Sequence, residues 1–192
     1  TESRKKWPLL LFLHGAGERG EDLEKMKVHG PMKEIVAGRQ IPAIVVAPQC
    51  PEGEGWNTDT LVGLLDHLES RYRVDKDRVY LSGISMGGFG TWALAMEQPE
   101  RFAAIAPVCG GGNTGRTSVI KDIPTWVVHG DKDEAVPIRR SIEMVDALKA
   151  AGGRPIFTIV PGGGHDVWTD FYGDDAFYAW LFSHKRPGRA RH

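Results

Sequence analysis

The sequence contains very little cysteine. Cys50 and Cys109 are the only two in 192 residues, which excludes a disulfide-stapled fold and a cysteine-rich metal site. Each follows an apolar run, and this placement favours two small buried residues over reactive thiols. We therefore expect a hydrophobic core to stabilise the chain.

An excess of one charge is also missing. The 24 Lys and Arg residues against 25 Asp and Glu leave a formal net charge of -1, so neither nucleic acid nor an anionic membrane is predicted as a partner. The apolar runs are of strand length and too short to span a membrane. The chain starts at Thr1 without a recognisable signal peptide, which leaves its compartment open.

The remaining composition is that of an ordinary globular protein. Hydrophobic residues make up 41% and charged residues 26%, which argues against disorder. The length predicts a single domain over residues 1–192 with one substantial core. Residues 185–192 are basic and predict a solvent-exposed tail.

Strand-like and helix-like patterns alternate along the chain. Apolar runs predict strands over residues 9–13, 43–47, 79–81, 103–108, 125–129 and 156–160. Helical spacing predicts helices near residues 61–72, 138–148 and 177–181. Thr58 or Asp59 is expected to cap the first of these, and Gly152 to end the second. This alternation predicts an α/β fold with a mostly parallel, doubly wound sheet, helices on both faces, and ligands at the carboxyl ends of the strands.

Ser85 lies in Gly-Ile-Ser-Met-Gly, residues 83–87. A strand-like run precedes this segment and a helix-like run over residues 89–96 follows it. A G-x-S-x-G sequence in this context is typical of a nucleophilic serine held in a sharp strand-to-helix turn. Gly83 and Gly87 let the turn close without side-chain clashes. We predict that Ser85 is a nucleophile.

A serine nucleophile needs a base, and the base needs a carboxylate to orient it. In this context both should follow the serine, with the acid first. Asp133 is the predicted acid because it lies far enough past the strand to lean back over the sheet edge. Asp131 is the alternative, although it follows the strand so closely that capping the turn suits it better. Glu134 is predicted to be a surface charge.

His165 is the predicted base. It follows the final strand, behind three glycines whose loop can carry the ring to Ser85. His14 is expected to brace a loop, and His129 to be a buried strand-end residue with local hydrogen bonds. The other histidines are assigned to surface positions or to the tail: His29, His67, His184 and His192.

Acyl transfer also needs two N–H donors for the oxyanion. One is predicted to be Met86, directly after the nucleophile, and the other Ala16, in the glycine-rich loop after the first strand. Trp56 and Trp168 follow strand ends and are candidates for a substrate pocket, whereas Trp92 is expected in the core. No cofactor or metal is predicted, because the chain has neither His-Glu-x-x-His nor paired cysteines.

Taken together, these segments resemble the α/β-hydrolases. The resemblance is to the compact bacterial carboxylesterases of the phospholipase/carboxylesterase and polyhydroxybutyrate-depolymerase-like ("predicted peptidase") group. It rests on residues 11–20, 47–51, 83–90, 129–137 and 164–168. It implies a Ser85–Asp133–His165 triad, with Ala16 and Met86 as oxyanion donors.

Three further expectations follow from the resemblance. The family sheet order places two strands between those that precede Cys50 and Cys109, so the thiols should be unpaired. Residues 110–124 form too short and polar a connection for a substantial cap domain. Members usually carry two strands before the one at residues 9–13, so a longer parent chain is expected to supply material upstream of Thr1.

The favoured function is a serine carboxylesterase acting on short-chain carboxylic esters, from acetyl to roughly hexanoyl, with a small-molecule ester as its partner. One alternative is a specialised hydrolase with the same machinery: a feruloyl or acetylxylan esterase, a polyester depolymerase or a peptidase. A binding module without activity is the remaining alternative. The oligomeric state is left open.

Overall fold

A computed structural model describes residues 5–186 of the chain. One sheet of six strands runs through this range in the order β2-β1-β3-β4-β5-β6. The strands are β1 (Trp7–Leu13), β2 (Ile44–Val46), β3 (Val74–Ile84), β4 (Ala104–Val108), β5 (Trp126–Gly130) and β6 (Ile156–Val160). All neighbouring pairs are parallel, which confirms the predicted sheet.

Helices cover both faces of the sheet. They are α1 (Gly30–Val36), α2 (Thr58–Arg71), α3 (Met86–Glu97), α4 (Arg139–Ala150), α5 (Trp168–Gly173) and α6 (Asp175–Ser183). Leu9, Leu11 and Leu13 of β1 pack with buried residues of α2, α3 and α4. Leu10 and Phe12 point the other way and pack with α5 and α6. The sheet is therefore doubly wound, as predicted.

This double cover explains the composition of β1. Residues 9–13 are all apolar and at most 1% exposed, because side chains on both faces of the strand enter a core. Burying each large apolar side chain stabilises the fold by about 1.5–3 kcal/mol. A strand with one wet face would instead alternate polar and apolar residues.

Strand β3 is much longer than predicted. Its first residue, Val74, pairs with Trp7, and a register shift follows before Leu9 pairs with Val79. The intervening residues are polar, and Arg78 Nε donates to Asp75 Oδ2 at 2.7 Å. These residues are accommodated as a bulge in β3. Because they are polar, this part of the sequence does not show the apolar pattern that predicts a strand. Helices α1 and α5 were also not predicted.

The helix ends show one correction and one confirmation. Asn57, not Thr58 or Asp59, is the N-cap of α2, and its Oδ1 accepts the Thr60 N–H at 2.9 Å. Asn57 can do so because its backbone is still extended. At the end of α4, Gly152 adopts a φ of 94°, which confirms the predicted stop.

The connection from β4 to β5 is part of the helical layer. It contains a 3₁₀ helix, Thr114–Ile120, that packs against α3 and α4. Ile120 of this helix is fully buried in the core. This agrees with the expectation that residues 110–124 do not form a cap domain.

Cys50 and Cys109 are both buried and unpaired, as predicted. Strands β1 and β3 lie between the strands that precede them. None of the helices within residues 5–186 has the length and apolar character needed to cross a bilayer. Residues 187–192 of the predicted tail lie outside the described residues. Within its first part, the Arg186 N–H donates to Asp77 O at 2.9 Å.

Candidate active site

Ser85 occupies the turn between β3 and α3 in an unusual backbone conformation. Its φ and ψ are 53° and -117°, a strained combination for a residue with a side chain, which costs about 1–3 kcal/mol. A Cβ on Gly83 would lie 2.3 Å from Gly87 O, and one on Gly87 would lie 1.9 Å from Leu13 O. Since no side chain can tolerate such contacts, both glycines of the motif are required by packing.

Ser85, His165 and Asp133 form a hydrogen-bonded chain. The distance from Ser85 Oγ to His165 Nε2 is 2.8 Å, and that from His165 Nδ1 to Asp133 Oδ2 is 2.7 Å. The three side chains come from loops at the carboxyl ends of β3, β5 and β6. The structure thus brings together the three residues singled out in the sequence.

The Asp133 carboxylate is fully buried, and donors surround it. Its Oδ1 accepts the backbone N–H groups of Ala135 at 2.9 Å and Val136 at 2.8 Å. Burial raises the pKa of this carboxyl, but the His165 hydrogen bond and the two N–H groups lower it more. The net direction is downward, so Asp133 stays ionised at neutral pH and can stabilise positive charge on His165.

Asp131 has a different position from Asp133. Its side chain is exposed to solvent, and Oδ1 accepts the Gly162 N–H at 2.7 Å. The residue caps a backbone N–H, as expected, but in the loop that carries His165 and not in its own turn. Glu134 is exposed, in agreement with the prediction.

The loop after β1 lies against the serine. A Cβ on Gly15 would be 3.6 Å from Ser85 Cβ. Across the described part of the chain, no hydrogen-bond acceptor contacts the backbone N–H of Ala16 or of Met86. The role of the Ala16 and Met86 N–H groups as oxyanion donors remains a prediction.

His14 braces this loop, as predicted. Its Nε2 accepts the Cys50 N–H at 2.9 Å, so the proton of the neutral ring is on Nδ1. Nδ1 then donates to Gly15 O at 2.5 Å. Burial lowers the pKa of His14 and keeps the ring neutral. Because Gly15 C=O and Ala16 N–H belong to one peptide unit, this bond also fixes the direction of the Ala16 N–H.

Two further side chains hold the same loop. Glu18 Oε2 accepts the Gly15 N–H at 2.9 Å. Arg19 Nε donates to Ala16 O at 2.9 Å. Neither contact was predicted, because both depend on the loop turning back on itself in a single 3₁₀ turn over Ala16–Glu18.

The two tryptophans proposed for a pocket contact different residues of the site. Trp56 is partly buried, and its Nε1 donates to His14 O at 3.1 Å. Trp168 is only 7% exposed and packs edge-on against His165, with 4.9 Å between the ring centroids. Their role in substrate binding remains a prediction. Trp92 is fully buried in the core, as expected.

His29 is not the surface residue that was predicted. Its Nδ1 accepts a hydrogen bond from Trp168 Nε1 at 3.3 Å, and its Nε2 lies 3.5 Å from Glu18 Oε1. His29 precedes α1, which packs on α5. It therefore lies between the loop after β1 and the helix beside His165, a placement with no local sequence pattern to reveal it.

Cys109, His129 and Asp133 place potential metal-ligand atoms within 4.8 Å of one another. Each already has partners in the protein: Cys109 Sγ, for instance, lies 3.5 Å from His165 O. Burial, and then the charge of Asp133, raises the pKa of the Cys109 thiol, so it is neutral and not a competing nucleophile. A metal ion would have to displace these contacts.

The sheet order, the serine turn and the acid and histidine loops define an α/β-hydrolase. The chain belongs to the esterase family, since residues 37–149 match the family model described as "Putative esterase". Relatives and similar structures that match this chain are also named as esterases.

Three similar proteins are named as esterases. A bifunctional acetylxylan esterase/xylanase of Neocallimastix patriciarum is 30% identical over 67% of this chain and 20% of its own length. "Probable feruloyl esterase C" of Aspergillus terreus is 27% identical over 90% of this chain and 67% of its own. The crystal structure of a thermostable esterase has a TM-score of 0.85 and 35% identity over 95% of this chain.

The chain is shorter than some of these proteins. It spans 56% of the thermostable esterase and one fifth of the acetylxylan esterase/xylanase. Similarity therefore extends over two thirds or more of this chain but over a smaller part of those two proteins.

Proposed function

We propose that the chain is a serine carboxylesterase with a Ser85–His165–Asp133 triad, acting as one catalytic domain. The observation that carries the proposal is the continuous hydrogen-bond path from Ser85 Oγ through both nitrogens of His165 to Asp133 Oδ2, at 2.8 and 2.7 Å. Each distance suits proton transfer or charge stabilisation without rearrangement. Membership of the esterase family supports the same reaction class.

In the proposed reaction, His165 Nε2 takes the proton of Ser85 as Oγ attacks the ester carbonyl. Asp133 stabilises the imidazolium that forms, and the Ala16 and Met86 N–H groups donate hydrogen bonds to the oxyanion. Collapse of this intermediate releases the alcohol, which takes the proton from His165. Water then attacks the acyl-enzyme by the same route and regenerates Ser85.

The test is Ser85→Ala, with Ser82→Ala as the matched control. Ser82 is on β3, three residues before Ser85, and its buried hydroxyl lies 2.6 Å from Ala106 O and 2.6 Å from the Tyr172 hydroxyl. Loss of the nucleophile should lower kcat about 10⁵-fold or more, while the control keeps its turnover. A fluorophosphonate should label the parent and not Ser85→Ala. If Ser85→Ala retains a tenth of the activity, the serine mechanism is wrong.

We propose short acyl chains as substrates. Ser85 is partly exposed, His165 is 27% exposed, and the β4–β5 connection packs into the helical layer. Each acyl methylene gains about 0.8 kcal/mol only where protein buries it. Rates on p-nitrophenyl esters should therefore be highest between acetyl and roughly hexanoyl. A maximum at long chains, or a jump in rate when an emulsion forms, would contradict this.

The second candidate is an esterase for acetyl or feruloyl groups on plant polysaccharides. It is favoured by the names of the acetylxylan and feruloyl esterases similar to this chain. Activity on acetylated xylan or feruloylated oligosaccharides at least about tenfold above that on p-nitrophenyl acetate would select it. The same panel should include a polyester and peptides, which cover the remaining alternatives.

A further inference from the structure

A second histidine lies on the far side of the proposed acid. His129, at the end of β5, is fully buried, and its Nε2 is 3.1 Å from Asp133 Oδ2. This oxygen is the one that accepts the hydrogen bond from His165 Nδ1 at 2.7 Å. Two imidazole rings therefore converge on a single carboxylate oxygen.

The surroundings of His129 show where its protons lie. Nε2 faces Asp133 Oδ2 and, at 2.8 Å, Val136 O, and both are acceptors. A lone pair there would be repelled, so Nε2 carries a proton. The other nitrogen, Nδ1, is 2.7 Å from Ser141 Oγ, which is itself 2.9 Å from Gly110 O.

The single hydroxyl proton of Ser141 then decides the charge of His129. If it points to Gly110 O, Nδ1 must also be protonated, and a buried imidazolium lies beside Asp133. If it points to Nδ1, the ring is neutral and Gly110 O gives up that hydrogen bond. The direction of the Ser141 hydroxyl and the protons on His129 are therefore linked, and both act next to Asp133 Oδ2.

We propose that His129 and Ser141 are positioning residues for the reaction. Ser141 sets the tautomer of His129, and the Nε2–H of His129 fixes the orientation of Asp133. The inference rests on the proposed function, since it concerns the acid of that triad. Oδ1 accepts two backbone N–H groups and Oδ2 accepts His165, while His129 Nε2 lies 3.1 Å from Oδ2, so these contacts together oppose rotation of the carboxylate away from His165.

A merely structural role would also make these residues sensitive to substitution, so the test must separate the two. A double-mutant cycle does this: His129→Gln and Ser141→Ala are each made in the parent and in Asp133→Asn. If His129 and Ser141 act through the Asp133 carboxylate, their substitution should matter only while that carboxylate is present. Turnover is measured on p-nitrophenyl acetate.

We expect His129→Gln to lower kcat about tenfold and Ser141→Ala about threefold to tenfold in the parent, with KM changed less than about twofold. In the Asp133→Asn background each should change kcat by less than about twofold. The low-field NMR resonance of the His165 Nδ1 proton should shift or vanish in both single variants. Thr125→Val is the matched control, because it removes a buried hydroxyl at the opposite end of β5.

Equal losses in both backgrounds, an unmoved resonance, or a loss matched by Thr125→Val would overturn the inference. Should His129→Gln fail to fold, Ser141→Ala carries the same comparison. Unchanged turnover in Asp133→Asn alone would instead contradict the proposed function itself.

Discussion

The loops after β1 and after β5 both contribute to the site around Ser85, and a buried histidine lies at the start of each. His14, after β1, uses both ring nitrogens on backbone groups, Cys50 N–H and Gly15 O. His129, at the end of β5, bonds to Ser141 and lies against the Asp133 carboxylate. The first loop presents a peptide N–H, which needs only the right direction. The second presents a charge, which must be buried and fully hydrogen-bonded.

The two loops also differ in how far their functional groups are exposed to solvent. Ala16 is exposed, whereas the side chain of Asp133 is fully buried with four donors around it. A peptide N–H can still donate a hydrogen bond next to water. The attraction between a carboxylate and a histidine, in contrast, is weakened when water surrounds the pair. We therefore expect substitutions in the β5 loop to cost more than substitutions in the β1 loop.

Of the two loops, the β5 loop is expected to show the larger effect, and the test compares its two aspartates. Asp133→Asn should lower kcat about 10⁴-fold, because the amide misorients His165 and provides no charge. Asp131→Asn keeps an oxygen that can accept the Gly162 N–H and should lose less than about tenfold. The measurement is kcat on p-nitrophenyl acetate for both variants. A greater loss in Asp131→Asn would mean that the acid has been misassigned.

The next largest effect is expected at the histidine of the β1 loop. His14→Leu leaves Gly15 O and Cys50 N–H unpaired and frees the peptide that carries the Ala16 N–H. Losing one oxyanion donor should lower kcat about 100-fold with little change in KM. Stability should fall by about 1–3 kcal/mol for each unpaired buried group, measured by urea unfolding. Unchanged turnover at reduced stability would remove Ala16 from the mechanism.

A smaller effect is expected at Glu18. Glu18→Ala removes the acceptor for the Gly15 N–H and should lower kcat about tenfold. Glu18→Gln is the matched variant, because its amide oxygen can still accept that bond, and it should stay within about threefold of the parent. Equal losses in the two variants would show that the negative charge, and not the hydrogen bond, is what matters.

The smallest effect concerns pH and stability. Burial lowers the pKa of His14, so unfolding takes up a proton once the pH falls below the ordinary histidine value of about 6.5. The free energy of unfolding should then decline from that pH down to the folded-state pKa, by at most about 1.4 kcal/mol per pH unit for one proton. The pKa of Asp133 is lowered from 3.8, so its stabilising contribution should persist until more acidic pH.

The free energy of unfolding, measured with urea at pH 8, 6 and 5, tests whether stability declines below pH 6.5 because of His14. His14→Leu should show a shallower decline than the parent. It should not be flat, because burial lowers the pKa of His184 as well. A decline as steep as that of the parent would mean that His14 is protonated in the folded protein.

The sequence by itself determined the strands, most of the helices and the three residues of the proposed triad. Apolar runs predicted β1, β4, β5 and β6 to within two residues, and in β1, β4 and β5 they reflect burial of the strand on both faces. The strand–serine–helix context predicted Ser85, and chain order then led to Asp133 and His165. Strand β3 was predicted only in part, because its first half is polar and pairs with β1 across a bulge.

Only the tertiary structure decided how these residues are held. The partners of Asp133 and His14 come from distant parts of the chain: His165 is 32 positions from Asp133, and Cys50 is 36 from His14. Nothing in the sequence near Ser141 or His129 shows that they approach the acid. The tautomer of each buried histidine depends on which donors and acceptors the folded chain places around it, and spacing along the sequence does not contain that information.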